Sequence, residues 1–319
     1  MANRILITGG NGYVGRYLTR LLCQDAMVYV ADSLRCGGWR FDAAECRRLR
    51  LVRLDLRDAE QVRALMRRVE PEIVVHLAAL HYIPECEGDP SLAVATNVLG
   101  TVNLLAHCKP HSRFVFASSG AVYKPDDQPH REAEAALAPN DVYGRTKLHA
   151  EEFVSDFATR LDLQAVIVRL FNVVGPGETN PHLLPELVAQ LKAGCHIVRL
   201  GNMTPKRDYI HAVDAAKGFA AVAVGNGVDY GQTMIVNVGT SQVCSVAQIV
   251  EKIRAVSGID FEIHQDDSRL RKIDRPFLAA DIHRMSQYFG WRPERSIDDA
   301  IRDLWSNPDL AAGLTARYQ

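Results

Sequence analysis

Residues 4–22 constrain the fold of this chain more than any other stretch. Arg4-Ile5-Leu6-Ile7-Thr8 is short, apolar and β-rich, the pattern of a buried strand. Gly9-Gly10-Asn11-Gly12-Tyr13-Val14-Gly15 follows at once, and Tyr17, Leu18, Leu21 and Leu22 then recur at helical spacing. Gly9, Gly12 and Gly15 thus sit in the turn between a first strand and a first helix. Small residues there let the backbone approach a pyrophosphate, and the helix N-terminus favours its charge. A glycine triplet alone has little specificity; its place at a strand–helix junction supplies it.

The rest of the first half extends this unit. A strand over 27–31 ends in Asp32, 17 residues after Gly15, close to the ~20 of a dinucleotide fingerprint. An acid there accepts both hydroxyls of an adenosine ribose and repels a 2′-phosphate, which points to NAD rather than NADP. Arg35 argues the other way, since arginine welcomes a 2′-phosphate. Strands over 49–54 and 73–77 follow, the first running into Asp55 and Leu56, the second through Leu77 into the small-residue turn Ala78-Ala79. His76 inside its strand reads as a core histidine. The loop His81-Tyr82-Ile83-Pro84-Glu85 leaves a strand's C-terminal end, where such sheets bind ligands. A helix over 58–69, a long helix over 92–108 carrying Asn97, a strand over 113–117 ending in Ser118-Ser119, a helix over 141–161 and a strand over 164–170 complete the series. Such regular alternation implies a parallel sheet covered on both faces.

Tyr143 and Lys147 lie four residues apart and so share one helix face. The pairing suits a phenol whose acidity is raised by a neighbouring ammonium, and Ser119 adds a hydroxyl at the adjacent strand end. After Leu170 the pattern loosens. The turn-rich stretch 172–178, helices over 183–191, 213–224, 246–256 and 297–304, a helix starting near 281, and short strands at 197–200, 235–238 and 261–263 are expected, with 235–238 returning to the main sheet. The expected fold is α/β: a Rossmann-type doubly wound parallel sheet with a smaller mixed C-terminal substrate lobe. Residues 1–171, with return segments near 208–240, form the first lobe, and 172–319 mainly the second.

Composition closes off other classes. The net charge of −1 gives no electrostatic case for nucleic acid or a membrane surface as partner. No stretch is long and apolar enough to span a bilayer, and the N-terminus does not read as a signal peptide. The seven cysteines are odd in number, scattered and without a Cys-x-x-Cys pair. That fits a reducing cytoplasm and argues against a zinc site, so no metal is assigned.

Thr8-Gly9-x-x-Gly12-x-x-Gly15, Asp32, Asp55, Ser119 and Tyr143-x-x-x-Lys147 together resemble the extended short-chain dehydrogenases/reductases, and within them the sugar-nucleotide epimerases and dehydratases. The resemblance covers almost the whole chain. Arg169-Leu170-Phe171-Asn172-Val173-Val174-Gly175-Pro176 looks like the family's sugar-nucleotide loop, whose asparagine touches the substrate diphosphate region. Arg207-Asp208-Tyr209-Ile210-His211 and Arg271-x-x-Asp274 are similar to its two phosphate-arginine motifs.

The resemblance implies Ser119, Tyr143 and Lys147 as catalytic residues, with the Tyr143 pKa lowered by Lys147 and a cationic nicotinamide. It implies NAD held by Gly9, Gly12, Tyr13, Val14, Gly15, Asp32, Asp55, Leu56, Leu77, Ala78, Ala79 and Asn97 together with Tyr143 and Lys147. It implies a nucleoside-diphosphate sugar on His81, Asn172, His182, Arg207 and Arg271, with Tyr82, Glu85 and Tyr123 also facing the sugar. A homodimer joined by the helices near 92–108 and 141–161 is the family expectation.

The 4,6-dehydratases and decarboxylases carry an acid just after the catalytic Ser/Thr; this chain has Gly120-Ala121. The resemblance therefore points to a UDP-glucose 4-epimerase-like enzyme acting at C4 through a 4-keto intermediate. The competing expectation is a GDP-4-keto-6-deoxymannose reductase-like enzyme, which Leu200-Gly201-Asn202-Met203 resembles. An intact Ser119, Tyr143 and Lys147 argues against a catalytically silent NAD-binding sensor.

Overall fold

The computed structural model describes residues 3–178, 180–269, 275–310, 314 and 317. The elements up to residue 170 are β1 (Arg4–Thr8), α1 (Tyr13–Leu22), β2 (Met27–Asp32), α2 (Ala43–Arg48), β3 (Arg50–Arg53), α3 (Ala59–Val69), β4 (Ile73–His76), α4 (Ile83–Gly88), α5 (Pro90–Val94), a π-helical turn (Ala95–Leu99), α6 (Gly100–Leu105), β5 (Arg113–Ser119), a 3₁₀ turn (Gly120–Val122), α7 (Val142–Leu161) and β6 (Gln164–Leu170). Then come β7 (Asn172–Val174), α8 (Leu183–Lys192), β8 (Ile197–Leu200), β9 (Lys206–His211), α9 (Ala212–Val224), β10 (Gln232–Val238), β11 (Val243–Ser245), α10 (Val246–Ser257), β12 (Glu262–Gln265), β13 (Phe277–Leu278), α11 (His283–Phe289) and α12 (Ile297–Ser306).

The main sheet is parallel throughout, in the order β10-β6-β5-β4-β1-β2-β3. The alternation of the strand explains its two-sided burial. Ile5 and Ile7 of β1 face a core shared with Leu18 of α1 and Phe219 of α9, whereas Leu6 faces a second core built with Val62, Leu104 and Val154 from α3, α6 and α7. The strand order reverses at β1, which lies between β2 and β4. A crevice opens beyond the strand ends at such a reversal. The strand expected at 235–238 does return to this sheet, as β10 against β6.

The C-terminal lobe has two smaller sheets. β9 pairs with β7, β11 and β13, and β12 pairs with β8. Its core gathers Leu187 and Val188 of α8, Ile249 and Ile253 of α10, and Ile301 and Leu304 of α12.

Three local differences from the sequence reading have physical causes. The helix expected over 92–108 is divided by the π-helical turn, in which Asn97 is buried. Residues expected as a loop after β4 enter α4, whose first turn accommodates Pro84 because the amide missing there has no helical partner. α2 was not anticipated, although Asp42 and Glu45 form a complete capping box at its start. Among the described residues, no helix is long and apolar enough to cross a membrane.

Candidate active site

A cleft of about 1360 Å³ lies over the C-terminal ends of the main strands and is walled on its far side by the C-terminal lobe. Its floor is the turn from β1 to α1. Gly9 has φ +69°, and a Cβ there would lie 2.6 Å from the Ala78 amide nitrogen. A Cβ on Gly15 would lie 2.2 Å from the Gly9 carbonyl. A side chain at either position would collide with neighbouring backbone, so both glycines are needed for the tight turn and the close packing of α1 on the sheet. Gly12 caps α1 without a side-chain acceptor, leaving the helix's first amides to an incoming anion. Val14 lines the cleft, and so does Tyr13, whose hydroxyl donates to the Gly175 carbonyl at 2.9 Å.

Asp32 ends β2 with its carboxylate held in place. Oδ1 accepts from the Leu34 amide at 2.9 Å and Oδ2 from the Asn11 amide at 3.2 Å. Burial raises its pKa, against those two hydrogen bonds. Arg35, the residue that argued for a 2′-phosphate, forms an ion pair with Glu85. Asp55 is gripped by Arg57, whose hydrogen bonds lower its pKa, and Asp55, Leu56, Leu77, Ala78 and Ala79 all line the cleft. The residues present therefore fit a dinucleotide with an unmodified adenosine ribose.

Asn97, which the resemblance implies at the cofactor, is buried behind the cleft wall. Its side chain is 1% exposed. Its Oδ1 accepts from the Leu80 amide at 2.7 Å, and its Nδ2 donates to the Leu80 carbonyl and Thr146 Oγ1, each at 2.9 Å. The side-chain amide ties the segment after β4 to α7, and Asn97 is not among the residues that line the cleft.

Ser119 ends β5, and its Oγ accepts from the Ala121 amide at 3.1 Å, capping the 3₁₀ turn. Asp141 caps α7 by accepting from the Gly144 amide at 2.7 Å. That start places Tyr143 in the first turn and Lys147 one turn later. Ser119 and Tyr143 both line the cleft, and Ser119 lies near enough to the Tyr143 phenol to influence its ionisation. Lys147 Nζ donates to the Ala117 carbonyl at 2.7 Å and lies 4.8 Å from the Phe116 ring centroid and 5.9 Å from that of Tyr143.

Burial pushes the Tyr143 phenol up, with Ser119 acting the other way. Burial likewise pushes Lys147 down to about 7. Desolvation disfavours phenolate and ammonium alike, so a neighbouring positive charge would act against it at Tyr143.

Behind the pair, Glu151 of α7 accepts from Arg169 Nε at 3.0 Å and Nη2 at 2.7 Å, and from the Ser118 hydroxyl. Arg169 lies over Tyr123, which stacks on His130 with centroids 4.5 Å apart and donates to Asn237 at 2.7 Å. Tyr123 is thus a fully buried core residue and not part of a sugar wall. Glu85 is likewise taken up by Arg35.

On the opposite wall, Asn172 opens β7 and Arg207 lies on β9; both line the cleft, as do His81, Tyr82 and His182. Arg271, with Asp274 of its motif, lies outside the described residues.

The sequence reading missed two cleft residues. Arg275 donates to the Tyr123 and Ala121 carbonyls at 2.7 and 2.6 Å and so braces the turn after Ser119. Its signal was its membership of the basic run 269–276. Glu178 is buried beside His81 and His182; the Gly175-Pro176-Gly177 turn before it announced a loop but not a buried acid.

Residues 5–239 match the family described as NAD dependent epimerase/dehydratase. A UDP-glucose 4-epimerase 4 of Oryza sativa subsp. japonica is 31% identical, over 95% of this chain and 89% of its own length. A GDP-6-deoxy-D-mannose reductase of Pseudomonas aeruginosa is 26% identical, over 96% of this chain and 97% of its own. The crystal structure of UDP-glucose 4-epimerase from Brucella ovis in complex with NAD superposes with a TM-score of 0.83 at 28% identity, covering 96% of this chain and 98% of that one.

Proposed function

The chain belongs to the NAD dependent epimerase/dehydratase family, and from that membership we propose that it is an NAD-dependent epimerase of a nucleoside-diphosphate sugar, inverting C4 through a transient 4-keto intermediate. The observation that carries the reading is that Ser119, Tyr143 and Lys147 meet in one cleft, with the glycine turn and Asp32 on one side and Asn172 and Arg207 on the other. Gly120-Ala121 supplies no acid to eliminate a hydroxyl from C6.

NAD, when bound, supplies a hydride acceptor that later returns the hydride, and its oxidised nicotinamide brings a positive charge. Gly9, Gly12 and Gly15 with the first amides of α1 would hold its pyrophosphate, and Asp32 its adenosine ribose. Tyr143 takes the proton of the sugar 4-hydroxyl as the C4 hydrogen leaves with its electron pair. Ser119 hydrogen-bonds the same oxygen while its carbon–oxygen double bond forms. Lys147, charged, lowers the cost of the Tyr143 phenolate. In the return direction Tyr143 gives the proton back to the oxygen of the inverted carbinol. Asn172 and Arg207 hold the diphosphate, and a guanidinium suits its oxygens. His81 and His182 face the sugar.

The test is to denature the purified protein, identify the nicotinamide released, and assay the same preparation on UDP-, GDP- and dTDP-sugars without added cofactor. Released NAD(H) and interconversion of two C4 epimers are expected. Protein free of cofactor that consumes NADPH stoichiometrically with a 4-keto sugar would overturn the reading in favour of a reductase. That second reading is the one suggested by the similarity to the Pseudomonas aeruginosa protein.

Residues 1–171 with the return segments near 208–240 form the NAD lobe in this proposal, and 172–319 mainly the nucleotide-sugar lobe. A homodimer is supported by Val94, Leu99 and Phe153, large apolar residues 49%, 47% and 40% exposed on the α5–α6 segment and α7. Sedimentation equilibrium at the monomer mass would refute it. The seven free cysteines fit a reducing compartment, and we assign the protein to the cytoplasm.

A further inference from the structure

His81, Glu178 and His182 come from two segments far apart in the chain. His81 follows β4, and the other two lie between β7 and α8. One potential ligand atom from each falls within 4.8 Å of the others. His81 Nε2 and Glu178 Oε1 are 3.9 Å apart, and the His81 and His182 ring centroids 5.9 Å. A tetrahedral site with bonds of about 2.0–2.1 Å sets its ligands ~3.4 Å apart. Binding a cation would draw the three ligand atoms together from their present spacing.

We propose that His81, Glu178 and His182 form a binding site for a divalent cation of the Zn²⁺ class, with its remaining coordination positions open to the cleft. The donor set is two imidazoles and one carboxylate, the composition of zinc and iron sites that keep positions free. All three residues line the cleft, so an exchangeable position would meet an oxygen ligand there.

The surroundings are organised for this. Glu178 is only 6% exposed. Buried charges are paired or coordinate metals, and a buried carboxylate beside two imidazoles supplies donors for the second arrangement. The Asn180 amide donates to Glu178 Oε1 at 3.0 Å and orients it. Asn180 Nδ2 lies 2.9 Å from His81 Nε2, and cation binding would displace that hydrogen bond. Tyr82 packs edge-on against His182, with ring centroids 5.7 Å apart, and limits its swing. A bound cation would join the segment after β4 to the segment after β7 across the cleft. The binding claim stands apart from the epimerase reading.

The test uses the full chain after chelator treatment. Zn²⁺ is titrated calorimetrically, and Co²⁺ is followed by its visible d–d absorption. Wild-type protein should take up one equivalent, with Co²⁺ bands of a four- or five-coordinate nitrogen–oxygen site. His81→Ala and His182→Ala should each weaken binding at least ~100-fold, since even second-shell changes cost 10–100-fold. Far-UV circular dichroism confirms that the variants fold. Because Glu178→Gln risks misfolding at a buried position, the partly exposed His81 carries the decisive comparison. Absence of Zn²⁺ binding by wild type, or equal binding by wild type and His81→Ala, would overturn the proposal. The three residues would then be a hydrogen-bonded wall of the substrate pocket.

Discussion

Tyr143 and Lys147 show how far a single residue's chemistry departs from its motif. The four-residue spacing placed both side chains together, but spacing carries no information about desolvation. Replacing Tyr143 by Phe removes the proposed base while keeping the ring. Turnover should fall by ~10²–10⁴-fold, with nucleotide-sugar affinity by calorimetry nearly unchanged. Wild-type-like turnover would remove Tyr143 from the reaction.

Lys147 makes a separate prediction through stability. Its folded pKa is about 7, against 10.5 for the free side chain. Between those values the unfolded chain binds the additional proton, so unfolding becomes less favourable as pH rises. The unfolding free energy of cofactor-free wild type, relative to Lys147→Met, should increase from pH 7 towards pH 10. A difference that stays flat or falls across that window would contradict the assignment.

At the scale of elements, α7 matters most because Tyr143 and Lys147, the proposed base and its charged neighbour, both ride on it. Its N-terminus is set by Asp141, and its middle is fixed by the buried Glu151–Arg169 pair on β6, with side chains 5% and 1% exposed. Removing one partner of such a pair leaves an uncompensated buried charge and costs ~3–5 kcal/mol. Glu151→Ala should lower the unfolding free energy by about that amount in denaturant titrations. It should also lower kcat through displacement of Tyr143, and Glu151→Gln, which retains an acceptor, should be milder in both. A Glu151→Ala protein as stable as wild type would show that β6 does not hold α7. The repeating strands and helices of this half were legible because each has a simple period. The π-helical turn at Asn97 was not, since it answers to the Leu80 backbone and Thr146, which lie 17 and 49 residues away.

Across the whole molecule, the two lobes are joined over the cleft's outer edge by α1. Arg16 donates to the Gly177 carbonyl at 3.2 Å and to Asp309 at 3.1 Å, Tyr17 donates to the Pro176 carbonyl at 3.0 Å, and Arg40 reaches the same Gly177 carbonyl and Asp309. The segment they hold leads directly into Glu178. Arg16→Met should cost about 1–3 kcal/mol of stability, as for hydrogen bonds made by a charged group. It should also weaken nucleotide-sugar binding by calorimetry. Unchanged affinity would mean that the segment holds its place without α1.

The sequence alone determined the parallel sheet, the glycine turn, Asp32 at the end of β2 and the Ser119–Tyr143–Lys147 set. The sheet, the turn, Asp32 and the Tyr143–Lys147 pair depend on local periodicity and on residue types close in the chain, and Ser119 on its place at the end of a strand. Only the tertiary structure decided that Tyr123 belongs to the core, that Asn97 is a brace, that Arg35 answers to Glu85, and that His81, Glu178 and His182 meet. Each of those outcomes is set by partners distant in the chain. The energy of a polar or aromatic side chain depends on which partner and how much solvent it meets, and neither is written in its neighbours along the sequence.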